Sequence, residues 1–296
     1  MSTENPAVRS VERLLEVLDL DFTQARTTED IFVGDSHPMP TGRIYGGQVL
    51  AQSLIAAERT LPEDRAVHSM HGYFLRPGDA SQGITIAVDR IHDGRSFSTR
   101  RSQAYQNGVP IFSMIASFQD EGPGVEHAEP MPSDVPAPDT LLPDEERVNG
   151  LAGGARRMLS ERAADIRHIE QPLYLPGDAD RTPRQGVWMR LRSPLPDDPR
   201  LHRAALAYLS DMSIQESILR AHGLFWSFPG LKVASLDHAM WWHRAARVDE
   251  WLLYVQESPN ARGGRGLATG RIYTQDGVLV ASVAQEIMIR VPEGTE

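Results

Sequence analysis

The sequence contains no cysteine. This absence excludes a disulfide framework, a thiolate nucleophile and a zinc ion held by cysteine, so any chemistry must use oxygen or nitrogen groups. Long apolar runs are also missing, because no stretch approaches the roughly 18 residues of a membrane-spanning helix. The N-terminus lacks the apolar core of a signal peptide. We therefore expect a cytoplasmic protein without a membrane partner.

Positive charge is in the minority, with 30 Lys and Arg residues against 40 Asp and Glu residues and a formal net charge of -10. Such a chain offers no basic field to nucleic acid, and we expect none as a partner. The G-x-S-x-G, P-loop, G-x-G-x-x-G and H-E-x-x-H signatures are missing as well. His68 with His71, and His238 with His243, fit packing or ordinary hydrogen bonding better than metal binding. We predict no metal and no cofactor.

The chain does contain an internal repeat. Placing Arg76 on Arg244 gives an offset of 244 − 76 = 168, and placing Asn107 on Asp276 gives 276 − 107 = 169, so one inserted residue separates the two anchors. Each copy alternates polar and apolar residues over four stretches, with an Asn-Gly or Asp-Gly turn before the last, which predicts an antiparallel meander. The predicted strands cover 68–77, 84–94, 96–106 and 109–119, and then 236–244, 250–258, 265–275 and 278–289.

A helix is predicted ahead of each meander, over Gly46–Leu61 and over Leu201–Gly223, where the final glycine suits a helix C-cap. We therefore predict an α+β fold with a first repeat at 11–121 and a second repeat at 166–291. Residues 122–165 between them are rich in proline and acidic residues, which predicts a surface linker with a possible short helix. A chain of 296 residues with 41% hydrophobic content can bury a core in each repeat.

Gln285 interrupts an otherwise apolar face. Alternation places it on one side of the last predicted strand among aliphatic residues, and the first repeat has Ala116 at the matching position (285 − 169 = 116). A buried amide without partners costs about 1–3 kcal/mol. Gln285 should therefore have a specific partner, which is either a functional group or a backbone group that it stabilises.

Two further polar residues of the second repeat replace nonpolar ones. Ser235 matches Val67 (235 − 168 = 67), although a serine at the start of a strand is also common for structural reasons. Asp211 falls near the apolar stripe of the second predicted helix, and pairing 210–211 with 46–47 leaves no acidic residue at the matching place. Asp211 is therefore either a helix-end cap or a functional carboxylate tuned by burial.

Several stretches together resemble one family. They are FLRPGD, DGRSFSTRR, NGVPIF, LDHAMWWHR, EWLLY, YTQDGVLVAS and the terminal AQE, and the likeness runs from about Val11 to Arg290. The chain resembles acyl-CoA thioesterase II, the double hot-dog thioesterases of bacteria and peroxisomes. The resemblance implies two repeats, each a long helix wrapped by a curled antiparallel sheet, packed as an internal dimer. It also implies hydrolysis of acyl-CoA to free fatty acid and coenzyme A.

The resemblance assigns roles to the three polar residues of the second repeat. The catalytic acid, hydroxyl and amide of the family match Asp211 in YLSDM, Ser235 in KVASLDH and Gln285 in VAQE. The bacterial pattern most often has threonine at the hydroxyl position, and serine departs from it while keeping the oxygen. A carboxylate, a hydroxyl and an amide can orient one water molecule for attack on the thioester, with Asp211 as the base and without a covalent acyl-enzyme.

Two other functions fit parts of the sequence. A hot-dog enoyl-CoA hydratase would need an Asp-His pair, for which Asp237 and His238 are the candidates, although adjacent strand residues point to opposite faces. A non-catalytic module that binds acyl-CoA is the second alternative.

Residues outside the catalytic set carry weaker expectations. Arg262 and Arg265 lie in a glycine-rich loop and are candidates for binding the phosphates of coenzyme A, or belong to an ordinary solvated hairpin. The aromatic pairs Tyr73-Phe74 and Trp241-Trp242 match across the repeats, which favours core and subunit packing over a substrate cage. We also expect a homo-oligomer, either a dimer or a tetramer.

Overall fold

The computed structural model describes residues 6–25, 27–39, 41–148, 159–174, 176 and 180–292. Within these ranges the N-terminal half contains two helices and six strands. They are α1 (Pro6–Leu18), β1 (Asp21–Phe22), β2 (Asp30–Gly34), α2 (Gly46–Glu58), β3 (Ala66–Phe74), β4 (Ile84–Asp93), β5 (Phe97–Gln106) and β6 (Val109–Gln119). The first predicted helix and all four strands of the first meander are present within a few residues of their expected bounds.

The C-terminal half repeats this order with additions. A short helix α3 (Asp144–Arg147) precedes β7 (Ala164–His168), β8 (Arg184–Leu191), α4 (Pro199–Ser210) and α5 (Glu216–Ala221). The closing strands are β9 (Lys232–Ser235), β10 (Asp237–Trp242), β11 (Leu252–Arg262), β12 (Arg265–Thr274) and β13 (Leu279–Arg290). Within the described ranges, none of the helices is long and apolar enough to cross a membrane.

All the strands join one antiparallel sheet. The spatial order is β1-β2-β4-β5-β6-β3-β10-β13-β12-β11-β8-β7, and β9 pairs with the far end of β13. The order from β1 to β3 is mirrored by the order from β7 back to β10, so the two halves meet where β3 pairs with β10 and Met70 lies opposite Met240. This arrangement confirms the predicted α+β architecture of two helix-on-sheet repeats.

Helices α2 and α4 lie at the centre of the molecule, and α2 packs on strands β3 to β6 of the sheet. Leu50 and Leu54 of α2 are completely buried, as are Ala204 and Leu209 of α4, and the two helices pack against each other. Burial of apolar area provides about 25 cal/mol for each Å² removed from water. The close packing of α2 on α4 therefore fixes the N-terminal end of one helix against the C-terminal end of the other.

The prediction of one continuous helix over Leu201–Gly223 is wrong. Helix α4 ends at Ser210, and residues 211–215 form turns before α5 begins at Glu216. Serine hydroxyls compete with helical hydrogen bonding at this break, since Ser210 Oγ lies 2.9 Å from the Ala207 carbonyl oxygen, within hydrogen-bonding distance. Gly223 does end the second segment in a left-handed conformation, at φ 65°, as its sequence predicts. The break leaves Asp211 at the C-terminal end of α4.

Residues 122–137 have no regular structure, and α3 then attaches the end of this segment to the second repeat. The buried ring of His168 lies 2.6 Å from carboxylate oxygens of both Asp144 in α3 and Glu216 in α5. Burial alone would lower the pKa of His168, but these two carboxylates raise it to about 10, so the ring is charged. The possible short helix expected after the linker falls mainly on residues 149–158, which lie outside the described residues.

Candidate active site

The structure brings Asp211, Ser235 and Gln285 together from three separate elements. The Gln285 amide nitrogen donates to Asp211 Oδ1 at 2.9 Å and to Ser235 Oγ at 2.7 Å. The Ser235 hydroxyl lies 3.4 Å from the same carboxylate oxygen. These three residues therefore form a closed triangle of acid, hydroxyl and amide, and the expectation of a specific partner for Gln285 is met by side chains.

Asp211 is a buried carboxylate, with 3% of its surface exposed. Burial raises its pKa to about 6, although hydrogen bonds from Gln285, from the Gly47 backbone N–H and from Ser235 act in the opposite direction. A carboxylate gains little at the C-terminal end of its own helix, because the helix dipole is negative there. Its contact with Gly47 instead places it at the positive N-terminal end of α2, so Asp211 links the two repeats.

Glycine is required where α2 begins. A Cβ atom at Gly46 would lie 2.7 Å from Asp211 Oδ2, and one at Gly47 would lie 2.5 Å from the Tyr208 carbonyl oxygen. Both distances are shorter than a carbon atom allows. The Gly-Gly pair therefore lets the start of α2 approach the carboxylate closely.

His238 is a fourth member of the cluster. The sequence suggested it for packing, ordinary hydrogen bonding or a pair with Asp237, and not as a partner of Gln285. Its Nδ1 lies 2.5 Å from the Gln285 side-chain oxygen, and its Nε2 lies 3.0 Å from Ser210 Oγ. The ring is completely buried, and burial lowers its pKa to about 4. The repeat comparison could have identified it, since 238 − 168 = 70 pairs this histidine with Met70.

The first repeat has the same backbone register without the polar groups. Ser235 pairs with Ile287, and Val67 pairs with Phe118 at the matching place in the other half of the sheet. The three matching side chains are apolar and almost fully buried: Val67, Met70 and Ala116. The polar cluster is thus specific to the second repeat.

Asp237 and His238 do not converge. The Asp237 carboxylate accepts from the Glu286 backbone N–H at 2.7 Å and lies 3.0 Å from the His71 ring, on the outer face of the sheet. His238 points to the opposite, inner face. This geometry removes the Asp-His pair that a hot-dog hydratase would need. Among the described residues, no group of three or more histidine, aspartate or glutamate side chains could hold a metal ion.

Arg262 and Arg265 lie at the hairpin between β11 and β12, away from the cluster. Arg265 Nε forms an ion pair with Glu286 at 3.0 Å, and both side chains are about half exposed. Because side chains alternate along a strand, Glu286 faces the side of the sheet opposite to Gln285. The hairpin arginines therefore do not contact the acid, hydroxyl and amide.

The paired aromatic residues divide between core and surface. Trp242 is buried, and Phe74 lies beside the start of α2, where its ring would be 3.1 Å from a Cβ atom at Gly46. Tyr73 and Trp241 are 54% and 43% exposed on the outer face of β3 and β10. Phe74 and Trp242 are therefore packing residues, whereas Tyr73 and Trp241 are exposed in a single chain.

A cavity of about 440 Å³ lies behind the start of α2, next to the polar cluster. Its wall includes Tyr45, which precedes the Gly-Gly pair, and Met212, which follows Asp211. The Tyr45 hydroxyl donates to the Tyr208 carbonyl at 2.8 Å, and both tyrosines line the cavity. Apolar side chains of α1 close the far wall, namely Leu14 and Val17.

Comparisons with known proteins agree with this architecture. Two family models match, "Acyl-CoA thioesterase" over residues 161–288 and "Acyl-CoA thioesterase N-terminal domain" over residues 35–119. Acyl-CoA thioesterase 2 of Haemophilus influenzae is 38% identical, with 89% of this chain and 93% of that protein aligned. The chain belongs to the acyl-CoA thioesterase family.

Another member of this family and two solved structures match nearly the whole chain. Human acyl-coenzyme A thioesterase 8 is 38% identical over 89% of this chain and 85% of its own length. The crystal structure of acyl-CoA thioesterase II TesB2 from Mycobacterium marinum matches with a TM-score of 0.78 at 44% identity, over 95% of this chain and 99% of that one. A hot-dog protein from Alicyclobacillus acidocaldarius shares the fold at 19% identity, with a TM-score of 0.76 over 95% of this chain and 98% of that one. These matches confirm the double hot dog and the membership in a family of thioester hydrolases.

Proposed function

We propose that this member of the acyl-CoA thioesterase family hydrolyses acyl-CoA with a water molecule oriented by Asp211, Ser235 and Gln285. The observation that carries the proposal is the triangle of hydrogen bonds around one buried carboxylate. Three polar side chains in a desolvated place would each cost stability without a partner, and here they satisfy one another while leaving an acceptor oxygen for a water proton.

The reaction follows from the chemistry of these groups. Asp211 takes a proton from the bound water as its oxygen attacks the thioester carbonyl carbon, which gives a tetrahedral oxyanion. The oxyanion collapses, the carbon–sulfur bond breaks, and coenzyme A leaves as a thiolate that recovers the proton from Asp211. The start of α2 beside Asp211 provides the positive end of a helix dipole near the developing charge. A pKa of about 6 leaves Asp211 ionised at neutral pH and more basic than a surface carboxylate.

The cavity beside Tyr45 and Met212 is a suitable place for the acyl group. Its lining includes Met212, the residue after Asp211, and its wall is largely apolar, with Arg13 and His37 among the polar lining residues. We propose that the acyl chain enters there and that the adenosine phosphates of coenzyme A remain at the surface. Arg262 and Arg265 stay as proposed contacts for those phosphates.

Assembly, location and domain division are further parts of the proposal. Tyr73, Trp241 and Ile115 expose large apolar surface on neighbouring strands at the junction of the repeats, which supports a homo-oligomer in which a second copy covers this face. We propose a cytoplasmic location and keep the division at 11–121, 122–165 and 166–291. Sedimentation of the protein and of Trp241→Glu tests the assembly, since the charged variant should dissociate.

Thiol release from a series of acyl-CoAs tests the function. We expect saturable release of coenzyme A with one tight site per chain when a non-hydrolysable acyl-CoA is titrated. Binding without thiol release would support the acyl-CoA-binding module, and hydration of an enoyl-CoA would support the hydratase. Two equivalent tight sites per chain would contradict the assignment of the site to the second repeat.

A further inference from the structure

We infer that His238 is a positioning residue for the hydrolysis, because it holds the Gln285 amide in the one orientation that donates to both Asp211 and Ser235. The inference rests on the proposed function. It concerns the reason why an amide, whose two ends have nearly the same shape, presents its nitrogen and not its oxygen to the carboxylate.

The two orientations of the Gln285 amide differ greatly in energy at this place. With the nitrogen towards Asp211, both amide hydrogens are used, at 2.9 Å to the carboxylate and at 2.7 Å to Ser235. In the reversed orientation an amide oxygen would face a carboxylate oxygen at the same distance, and two acceptors would repel. Gln285 is completely buried, so water cannot repair the mismatch.

The other end of the amide contacts only His238 among the hydrogen bonds of the described residues. The Gln285 oxygen accepts from His238 Nδ1 at 2.5 Å, which requires a proton on that nitrogen. If the amide reversed, its NH₂ group would face the Nδ1 proton, so two donors would oppose each other. His238 therefore penalises the wrong orientation at the end remote from the carboxylate.

The second ring nitrogen of His238 faces the end of helix α4. Ser210 Oγ lies 3.0 Å from His238 Nε2 and 2.9 Å from the Ala207 carbonyl oxygen, and its one proton can go to either acceptor. The ring proton that the Gln285 oxygen requires on Nδ1 makes Nε2 an acceptor, so Ser210 directs its proton to the ring in this arrangement. Ser210 is the residue before Asp211, so the chain of hydrogen bonds starts and ends on consecutive residues: Ser210, His238, Gln285 and Asp211. The helix end that carries the carboxylate is thus joined to the donor that faces the Gln285 oxygen.

His238 itself stays uncharged during the reaction. Burial lowers its pKa to about 4, and the groups that act on it are Gln285, Asp237 and His71. A neutral ring whose two nitrogens are bonded to Gln285 and Ser210, and not to the carboxylate, is suited to orientation and not to proton transfer. The first repeat supports this coupling, since Met70 and Ala116 replace the histidine and the amide together, and no polar group remains to be oriented.

The tautomer can be measured on the unmodified protein. Histidine ¹⁵N NMR should show a buried neutral ring with its proton on Nδ1, a signal that His238→Asn removes. A proton on Nε2 would overturn the inference. This measurement needs no activity, so it stays informative even if the protein released no thiol, which would contradict the proposed function and not the positioning.

Two substitutions test the effect on turnover. His238→Met introduces the residue that the first repeat buries at this position, and it removes the donor. His238→Asn keeps a side-chain N–H close to the position of Nδ1. We expect kcat to fall about 10-fold or more in the methionine variant, as for other groups that orient a catalytic side chain, with KM within a few-fold. The asparagine variant should recover most of that loss.

The pH profile separates orientation from simple loss of packing. Without His238 the oxygen end of the amide loses its contact, which loosens the Gln285 hydrogen bond that lowers the pKa of Asp211. The acid limb of kcat/KM should therefore move upward by about 1 pH unit in His238→Met and return in His238→Asn. The other titratable groups facing Asp211 are Tyr45, Tyr208 and Tyr254, which remain neutral in this range. An active His238→Met variant with an unchanged acid limb would overturn the inference, as would an asparagine variant equally impaired.

A second background covers the case in which His238→Met alone folds poorly. His238→Ala also removes the donor, and by itself it should lower kcat about 10-fold. If His238 acts through Gln285, replacing Gln285 by alanine removes the group to be oriented, and adding His238→Ala to that variant should change kcat by less than about two-fold. Independent, multiplying losses in Gln285→Ala and His238→Ala would contradict the inference.

Discussion

The two repeats share a sheet register and differ at the positions that face the start of α2. The second repeat has Ser235, His238 and Gln285, and the first has Val67, Met70 and Ala116. Because the apolar set is almost fully buried in the same register, the fold does not need the polar residues. The comparison therefore separates what holds a hot-dog repeat together from what the second repeat adds to it.

The same comparison explains why one site needs both repeats. The carboxylate and its partners belong to the second repeat, whereas Gly46, Gly47 and Phe74 of the first repeat form the opposite wall. The first repeat therefore contributes the N-terminal end of helix α2 to the site of the second repeat. At its own matching place it has only apolar side chains.

Removing the charge from Asp211 should have the largest effect on the second repeat. Asp211→Asn keeps the shape and removes the base, so we expect turnover to fall about 100-fold or more. Burial of a charged carboxylate lowers stability above the ordinary aspartate pKa of 3.8, because the folded-state pKa is raised to about 6. The variant should thus unfold no more easily than the parent at neutral pH. Normal turnover with lower stability would identify Asp211 as a structural cap.

The raised pKa of Asp211 also predicts that the parent protein loses activity at acidic pH. Asp211 must be ionised to accept a proton, so kcat/KM should be constant above its pKa and decrease about 10-fold for each pH unit below about 6. Asp211→Asn should lose this acid limb. An acid limb near pH 4 in the parent would contradict the buried, raised pKa.

Ser235 offers the next largest effect. If its hydroxyl helps to hold the water, Ser235→Ala should lower the rate by roughly 100-fold with little change in stability, by analogy with the loss of one preorganised donor. Ser235→Thr keeps the oxygen and adds a methyl group, so activity should stay within about a few-fold where the pocket tolerates it. Thiol release from both variants, with mass spectrometry of rapidly quenched parent protein, checks the role. An acyl adduct on Ser235, or a fully active alanine variant, would contradict it.

Sequence patterns predicted the fold because its strands alternate regularly and the repeat doubled the evidence. The same repeat singled out Gln285, whose burial in an apolar face demanded a partner. The N-terminal helix α1 and the strands β1, β2 and β8 were missed, since they are short or lie before the passages that repeat. Whether a short segment at the edge of a sheet becomes a strand depends on the residues it packs against, and the sequence pattern does not show these contacts.

The missed features of the site have a common physical origin. His238 was expected to pack, to form ordinary hydrogen bonds or to pair with Asp237. Its contacts with Ser210 and Gln285 were missed because these partners lie far away in sequence. The break after Ser210 was missed because the apolar spacing continues through it while the serine hydroxyls compete locally for the backbone. The contact between Asp211 and Gly47 joins the two repeats, so neither repeat alone predicts it.

Polar residues of the second repeat can be introduced at the matching positions of the first repeat, and a smaller effect, on stability alone, is expected. Ala116 is 1% exposed and packs against Met70, so Ala116→Gln buries an amide without its partners. We expect a loss of about 1–3 kcal/mol in the free energy of unfolding, without a change in turnover. Adding Met70→His should recover part of the loss, since the histidine can bond to the amide. Equal losses in the single and the double variant, measured by denaturant unfolding, would show that the two positions are not coupled.

The smallest expected effect concerns the surface hairpin of the second repeat. Arg265→Ala breaks an exposed ion pair worth about 0–1 kcal/mol, so the free energy of unfolding should hardly change. If the guanidinium contacts the phosphates of coenzyme A, KM should rise by about a few-fold while kcat stays constant, and high salt should reduce the difference. Glu286→Ala is the matched control, because it breaks the same ion pair and keeps the positive charge. A KM that changes equally in both variants would contradict phosphate binding and leave Arg265 as part of an ordinary solvated hairpin.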